Sequence, residues 1–320
     1  MSPDEIGNNR AFQLMTEHPF PWSREVWALL LDRLFAAGAR LVMFDMIFSP
    51  PNDGDPAFHA ALDRYHEKVV LGANFDMENA AQAVTPNETL ILPPQLLNDR
   101  VGFVNFWPDP IDGKIRAVNY RVTDRELAGL PPHPSQEIYE SLSARALAKI
   151  GHANDVPRDF RSHMIRFTAL DAFEPRPLYE VFDPKFWHAN YADGAFFKDK
   201  IVIVGASAQV QHDVVDTPMS PTTWGPSLHL QAIAAAMGHE FLQPTPPKMG
   251  LALVGAAGLI AWLLVAFLRR PLLCLGTLAV ITGAYLGAAR LLYDKSGLLL
   301  LTVPVLAALL LSGSFSLGFE

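Results

Sequence analysis

Apolar residues recur at helical spacing through residues 24–37, where Val26, Trp27, Leu30, Leu31, Leu34 and Phe35 share one face, so the pattern predicts a helix that ends at Gly38. Residues 41–44 then form an unbroken apolar run. Such a run, closed by Asp45, reads as a strand buried on both faces. The proline and acid stretch at residues 49–55 predicts a turn with Asp53 and Asp55 in solvent, after which the pattern repeats: a helix over residues 56–65 and a strand in "KVVLGANF".

The middle of the chain has more β character. "RVGFVNFWPDPIDGKIRAVNYRV" predicts two strands about residues 109–113, with Asp112-Gly113 as a hairpin turn. "PSQEIYESLSARALAKIG" predicts an amphipathic helix stopped by Gly151, and "SHMIRFTA" another strand. The run at residues 200–204 predicts a buried strand, and "GPSLHLQAIAAAMGHEFL" a helix. Phe103, Phe106 and Trp107 are expected to pack in the core.

From Lys248 onward the pattern ceases to alternate and becomes almost continuously apolar. Residues 249–268 carry no charge over about one bilayer core. Residues 272–292 and 298–317 are expected to be second and third spans, joined by loops so short that the helices must run antiparallel. Arg269 and Arg270 place the first loop in the cytoplasm by the positive-inside rule, which puts the N-terminal part outside and Glu320 inside. The expected division is residues 1–247 and 248–320. The first twenty residues have neither an apolar core nor a basic start, so either the N-terminal part is cytoplasmic or an export signal or anchor lies upstream of them.

Composition narrows the function classes. Half of the 320 residues are hydrophobic and 18% are charged, and the apolar excess lies in the tail. A net charge of −8 leaves no basic footprint, so nucleic acid is not an expected partner. Cys274 is the one cysteine, within the tail, so neither disulfide nor thiolate zinc site is expected in the N-terminal part.

The strongest candidate chemistry follows the strand at residues 201–204, because ligands of open α/β sheets bind beyond the carboxyl ends of strands. Gly205-Ala206-Ser207-Ala208 is not a nucleophile elbow, since residue 209 is Gln where glycine is required, and no lysine follows to make a phosphate loop. His212, Asp213, Asp216 and His229 match no zinc spacing, so neither metal nor cofactor is expected. Asp45, Ser207, Asp213, Thr217 and His229 are the candidate ligand-binding residues, with turn and cap roles as the alternative. A hydrolase built on Ser207, His212 and Asp213 is a second reading, strained because adjacent residues of an extended segment point apart. A transporter subunit is a third, disfavoured by spans without ionisable groups at mid-depth. His133, His152, His163 and His188 are scattered and expected at the surface or core edge.

The ordered set "PFPWSREVWALLLDRLFAAGARLVMFDMIFSPPNDGD", "GFVNFWPDPIDGKIRAV" and "FFKDKIVIVGASAQVQHDVVDTPMSPTTWGPSLHLQAIAAAMGHEFL", followed by membrane helices, resembles a type-2 CHASE domain, the cyclase- and histidine-kinase-associated sensory extracellular domain of bacterial receptors. Gly205, Asp213, Thr217 and Pro218 match that family's Gly-Ala-x-Ala, Asp and Thr-Pro positions. The resemblance implies a non-enzymatic α/β sensory domain with a mixed sheet and a C-terminal three-helix transmembrane unit, in a bacterial inner membrane with the sensory part periplasmic or extracellular. It implies an extracytoplasmic ligand or protein as partner, and a cytoplasmic adenylate or diguanylate cyclase or kinase as output, in cis or in trans. A homodimer is compatible with such a receptor. Family members open with an anchor and a first strand, and this chain is expected to begin after both.

Overall fold

The computed structural model describes residues 9–17, 20–76, 82–206, 213–268 and 270–317. Two units divide the chain, Met1–His239 and Glu240–Glu320.

The first unit is a mixed α/β fold. Helix α1 (Arg10–Glu17) and helix α2 (Glu25–Ala36) precede strand β1 (Leu41–Asp45), whose first four residues are buried as the unbroken apolar run predicts. Helix α3 (Asp55–Arg64) leads to β2 (Val69–Phe75), followed by β3 (Ala83–Val84), β4 (Val101–Phe103), β5 (Ala117–Val118), β6 (Arg121–Thr123) and β7 (Ile138–Glu140). Next come α4 (Leu142–Lys149), β8 (His163–Ile165), α5 (Tyr179–Phe182), α6 (Pro184–Tyr191) and β9 (Ile201–Gly205). The unit ends with β10 (Val214–Val215), β11 (Thr223–Trp224) and α7 (Gly225–Gly238).

β1 is the centre of the main sheet. It pairs in parallel with β2, Val42 opposite Val69, and with β9, Leu41 through Asp45 opposite Ile201 through Gly205. β4 adds to β2 in parallel, and β3 joins β2 antiparallel, which makes the sheet mixed. The parallel part therefore runs β4, β2, β1, β9, and the direction of chain progression reverses between β1 and β9. The main core places Val26, Trp27, Leu30, Leu31 and Leu34 of α2 against Val42 and Phe44 of β1, so the helical face and the strand predicted from sequence meet each other.

Three local expectations fail for identifiable reasons. Asp112-Gly113 does form a turn, with Gly113 at φ 73, but the strands around it do not pair with each other: β4 joins β2, and β5 joins β8 antiparallel. Arg116 holds the turn shut with ion pairs to Asp109 and Asp112, at 2.7 and 2.5 Å. The helix expected from residue 134 begins only at Leu142, because Ser141 caps it by accepting the Ala144 N–H and residues 138–140 pair with β6 instead. Asp55, expected in solvent, is 3% exposed and bound to Arg24 at 2.5 Å.

The second unit contains β12 (Phe241–Pro244), α8 (Pro247–Phe267), α9 (Pro271–Ser296), β13 (Leu298–Leu299) and α10 (Thr302–Leu317). Two of its helices, α8 and α9, are long and apolar enough to cross a membrane. Only 22% and 11% of their apolar windows are buried, unlike core helices of soluble proteins, which hide such residues. The third span predicted from sequence, residues 298–317, is shortened. Leu298 and Leu299 pair in parallel with Gln243 and Pro244, so the helix starts at Thr302. Ala257, Ala261 and Val265 of α8, Cys274 and Leu278 of α9, and Val305 and Leu309 of α10 form this unit's core.

Candidate functional site

The reversal of strand order opens a crevice at the carboxyl ends of β1 and β9, the place where open parallel sheets receive ligands. Asp45 and Gly205 face each other across it as the last paired residues of those strands. Pro226, in the first turn of α7, closes one side. A Cβ on Gly205 would lie 2.5 Å from its ring.

Asp213 reaches the same place from the other side of the chain. The β10–β11 ladder, Val214 opposite Trp224, returns the backbone so that the Gly225 N–H donates to the Asp213 carbonyl at 3.1 Å. The Asp213 carboxylate then lies against Gly225, where a Cβ would sit 2.6 Å from Oδ1, so only glycine admits it there. Burial raises the Asp213 pKa first and the charge of Asp45 raises it further, with His229 opposing both. The N-terminus of α7 favours the carboxylate electrostatically.

His229 completes the cluster from one turn further along α7. Its ring is buried, with Nε2 3.7 Å from Asp45 Oδ1, and the side chains of the two residues are 2% and 9% exposed. Ser143 of α4 holds the other edge: its Oγ lies 3.1 Å from His229 Nδ1 and donates to the His229 carbonyl at 3.2 Å. A hydroxyl has a single proton. With that proton on the carbonyl, Nδ1–H donates to Oγ, and Nε2 is the ring nitrogen directed towards Asp45. Nε2 has no hydrogen-bond partner among the described residues. Phe106 covers the ring with its own at 4.7 Å.

A cleft of about 830 Å³ runs from Asp45 along the free edge of β9. β9 pairs with β1 alone among the described residues, so this edge is open. Trp27, Leu30 and Leu34 of α2 form one wall, and Pro226 and Leu230 of α7 another. The volume lies within the usual range for small-molecule sites, and the walls are apolar as such sites require. Arg176 and Lys200 line the cleft too, both over the ring of Phe196, at 4.8 and 5.1 Å.

Of the residues singled out from sequence, the fold thus brings together Asp45, Asp213 and His229. Thr217 lies apart, 1% exposed in a turn, where its hydroxyl donates to the Ser220 carbonyl and accepts the Met219 and Ser220 N–H groups. Ser207 and His212 lie outside the described residues. Ser143, which sequence reasoning passed over, and Phe106, expected there only as core packing, are joined to His229 by the folding of distant segments. No group of three or more metal-ligating side chains with suitable geometry occurs among the described residues.

No curated protein and no solved structure matches the chain. The CHASE2 domain family model matches residues 8–268, which takes in the whole α/β unit and the first apolar helix. On that match over most of its length, and in keeping with the mixed α/β architecture ahead of its apolar helices, the chain belongs to the CHASE2 family of extracellular sensory domains.

Proposed function

We propose that the chain is the sensory input module of a bacterial transmembrane signalling receptor, with residues 1–247 outside the cytoplasm and residues 248–320 in the inner membrane. The observation that carries this is the cluster of Asp45, Asp213 and His229 at the sheet's switch point, with Asp45 also lining a cleft of small-molecule size, in a domain of a sensory family. Buried carboxylates without hydrogen-bond donors reduce stability, and such a cost is tolerated where a ligand later relieves it. In this reading Asp45, Asp213 and His229 bind, with Ser207 a further candidate from its place in the sequence after β9, and Thr217 holds the turn that follows Asp213.

Signalling then requires the ligand to favour one arrangement of the molecule over another. Helix α7 can carry that preference onward, since it bears Pro226 and His229 and ends at Gly238, eleven residues before the apolar run that starts at Met249. The membrane helices would cross three times, α8 and α9 as full spans and the shorter α10 as the last, and would deliver the signal to a cyclase or kinase. With Arg269 and Arg270 inside, both β12 and β13 fall on the outer side, in agreement with their pairing.

The test is a chimera in which a diguanylate cyclase catalytic domain follows Glu320. Asp45→Asn and Asp213→Asn should each shift cyclic dinucleotide output by several-fold at equal membrane abundance. Unchanged output from both variants, folded as judged by thermal unfolding, would remove the site from signalling.

A further inference from the structure

Strand β9 forms an edge of the main sheet, yet it is built like an interior strand. Ile201, Val202, Ile203, Val204 and Gly205 include no charge and no proline, the devices by which edge strands usually avoid pairing. All of them are only partly buried, whereas the first four residues of the neighbouring β1 are fully buried. Leu41 stands opposite Ile201 and donates its N–H to the Lys200 carbonyl at 3.4 Å, so Lys200, Val202 and Val204 turn their backbone groups towards β1. Ile201 and Ile203 turn theirs to the open edge, where no other described strand takes them. Backbone groups that face apolar walls need a partner with donors and acceptors in alternation, which an alkyl chain or a plain aromatic ring does not supply. An extended peptide supplies both.

The cleft sets the composition, length and direction of that peptide. Val202 and Val204 pack into the core that α2 shares, and a Cβ on Gly205 points at Pro226 of α7, so the two helices lie on opposite faces of the strand. Side chains that alternate to both faces of an added strand therefore all meet apolar walls. At the start of β9, Lys200 and Arg176 both rest over the ring of Phe196, and neither has an ion pair among the described residues. Glu174 lines the cleft too and leaves the balance there positive. Asp45, opposite Gly205, makes the other end negative. Lys200 and Gly205 are ~17 Å apart at the usual strand rise, the reach of about five extended residues. A peptide with free ends thus lies antiparallel to β9, its carboxylate at Arg176 and Lys200 and its ammonium at Asp45. A strand passing through from a larger protein brings neither terminal charge.

We infer that the open edge of β9 receives a short apolar peptide with free ends as an added antiparallel strand, held by backbone pairing with Ile201 and Ile203 and by its two terminal charges. This rests on the reading of the domain as a ligand receptor and adds the chemical class of the ligand.

The probes are the peptide Ala-Val-Leu-Val-Ala with free ends, the same peptide with both ends blocked, the same peptide N-methylated at its three central residues, and decanoate. N-methylation keeps the apolar surface and removes the donors. Binding to the full chain in nanodiscs is followed by calorimetry, and the edge of β9 by residue-resolved hydrogen exchange. The free peptide should bind saturably at one site, at least tenfold more tightly than the N-methylated peptide or decanoate and at least threefold more tightly than the blocked one, and should slow exchange at Ile201 and Ile203. Arg176→Gln combined with Lys200→Gln should weaken the free peptide at least threefold and leave the blocked peptide unchanged. Equal affinity for the free and N-methylated peptides, preference for decanoate, or no binding of any peptide would overturn the inference using the wild-type chain alone. So would exchange at Ile201 and Ile203 as slow as at Val202 and Val204 before any peptide is added, the mark of an edge already covered by another segment of this chain or by a second copy. Peptide binding without any response of the cyclase chimera would sink the sensory reading and leave the site's chemistry intact, whereas output sensitive to Asp45→Asn without peptide binding would do the reverse.

Discussion

Replacing Asp55 by alanine removes one half of an ion pair that the fold hides almost completely. Arg24 and Asp55 are 5% and 3% exposed, with Nη1 and Oδ1 2.5 Å apart. The guanidinium also donates to the Pro50 carbonyl and lies 5.3 Å from the ring centre of Phe48. The second carboxylate oxygen accepts the Asn52 N–H at 3.0 Å and the Asn87 amide at 3.1 Å. Asp55→Ala therefore strands a buried cation and two donors at once, and loss of one partner from such a pair costs about 3–5 kcal/mol. That is a large share of the 5–15 kcal/mol that usually separates folded from unfolded chains. Urea unfolding of the full chain in detergent, read by the fluorescence of Trp22 and Trp27, should show the midpoint lower by at least about 1 M for an m-value near ~3 kcal/mol/M. The double replacement Arg24→Met with Asp55→Leu should recover most of the loss, because an apolar pair leaves no stranded charge. A cost no greater than ~1 kcal/mol for Asp55→Ala, the value of an exposed pair, would refute the reasoning from burial.

Gly205→Ala places a Cβ 2.5 Å from the Pro226 ring and 3.1 Å from Asp45 Cβ, so overpacking should cost about 1–3 kcal/mol in the same urea assay and weaken any ligand that contacts Asp45. Asp213 has a pKa raised above its unfolded value, by burial first, so the folded state holds that proton more tightly and stability falls as pH rises through the window above the ordinary aspartate range. Asp213→Asn should remove that contribution: the variant gains stability relative to wild type as pH rises above the ordinary aspartate range, and a variant that loses stability relative to wild type over that rise would contradict the assignment. Cys274 is fully buried between the apolar helices, so a maleimide should label it only after denaturation, and rapid labelling of the native chain would show that this helix packing is wrong.

The elements with long, regular patterns were legible in the sequence because one physical cause fixes each of them. α2 follows from an apolar stripe at 3.6-residue spacing, and β1 from a run too short for a helix and buried on both faces. Short segments were decided by pairing with distant residues, which no local pattern records. Residues 138–140 are equally good as the start of an amphipathic helix, and they become β7 because Arg121–Thr123 lies alongside. Leu298 and Leu299 read as the start of a membrane helix, yet pair with Gln243 and Pro244. At the site, Asp45 and Asp213 stand out for their places after strand and turn, and His229 for its chemistry. Their assembly depends on the β1–β9 register and on the close approach at Gly225. Ser143, which orients the imidazole, stands in an ordinary amphipathic helix and carries no sequence signal of its role. Asp55 reads as exposed because a proline-rich acidic turn is usually solvated, and the buried Arg24 that binds it comes from the start of the previous helix.

An α/β unit that faces outward is the premise of every step from ligand to output, and impermeant labelling of a cysteine placed on it tests that most directly. Ile111 is 92% exposed at the tip of the Asp109–Gly113 turn, and Cys274→Ser removes the only competing thiol. In intact cells Ile111→Cys should react with a membrane-impermeant maleimide before any permeabilisation. Reaction only after the inner membrane is opened would place the unit in the cytoplasm and contradict the extracytoplasmic receptor.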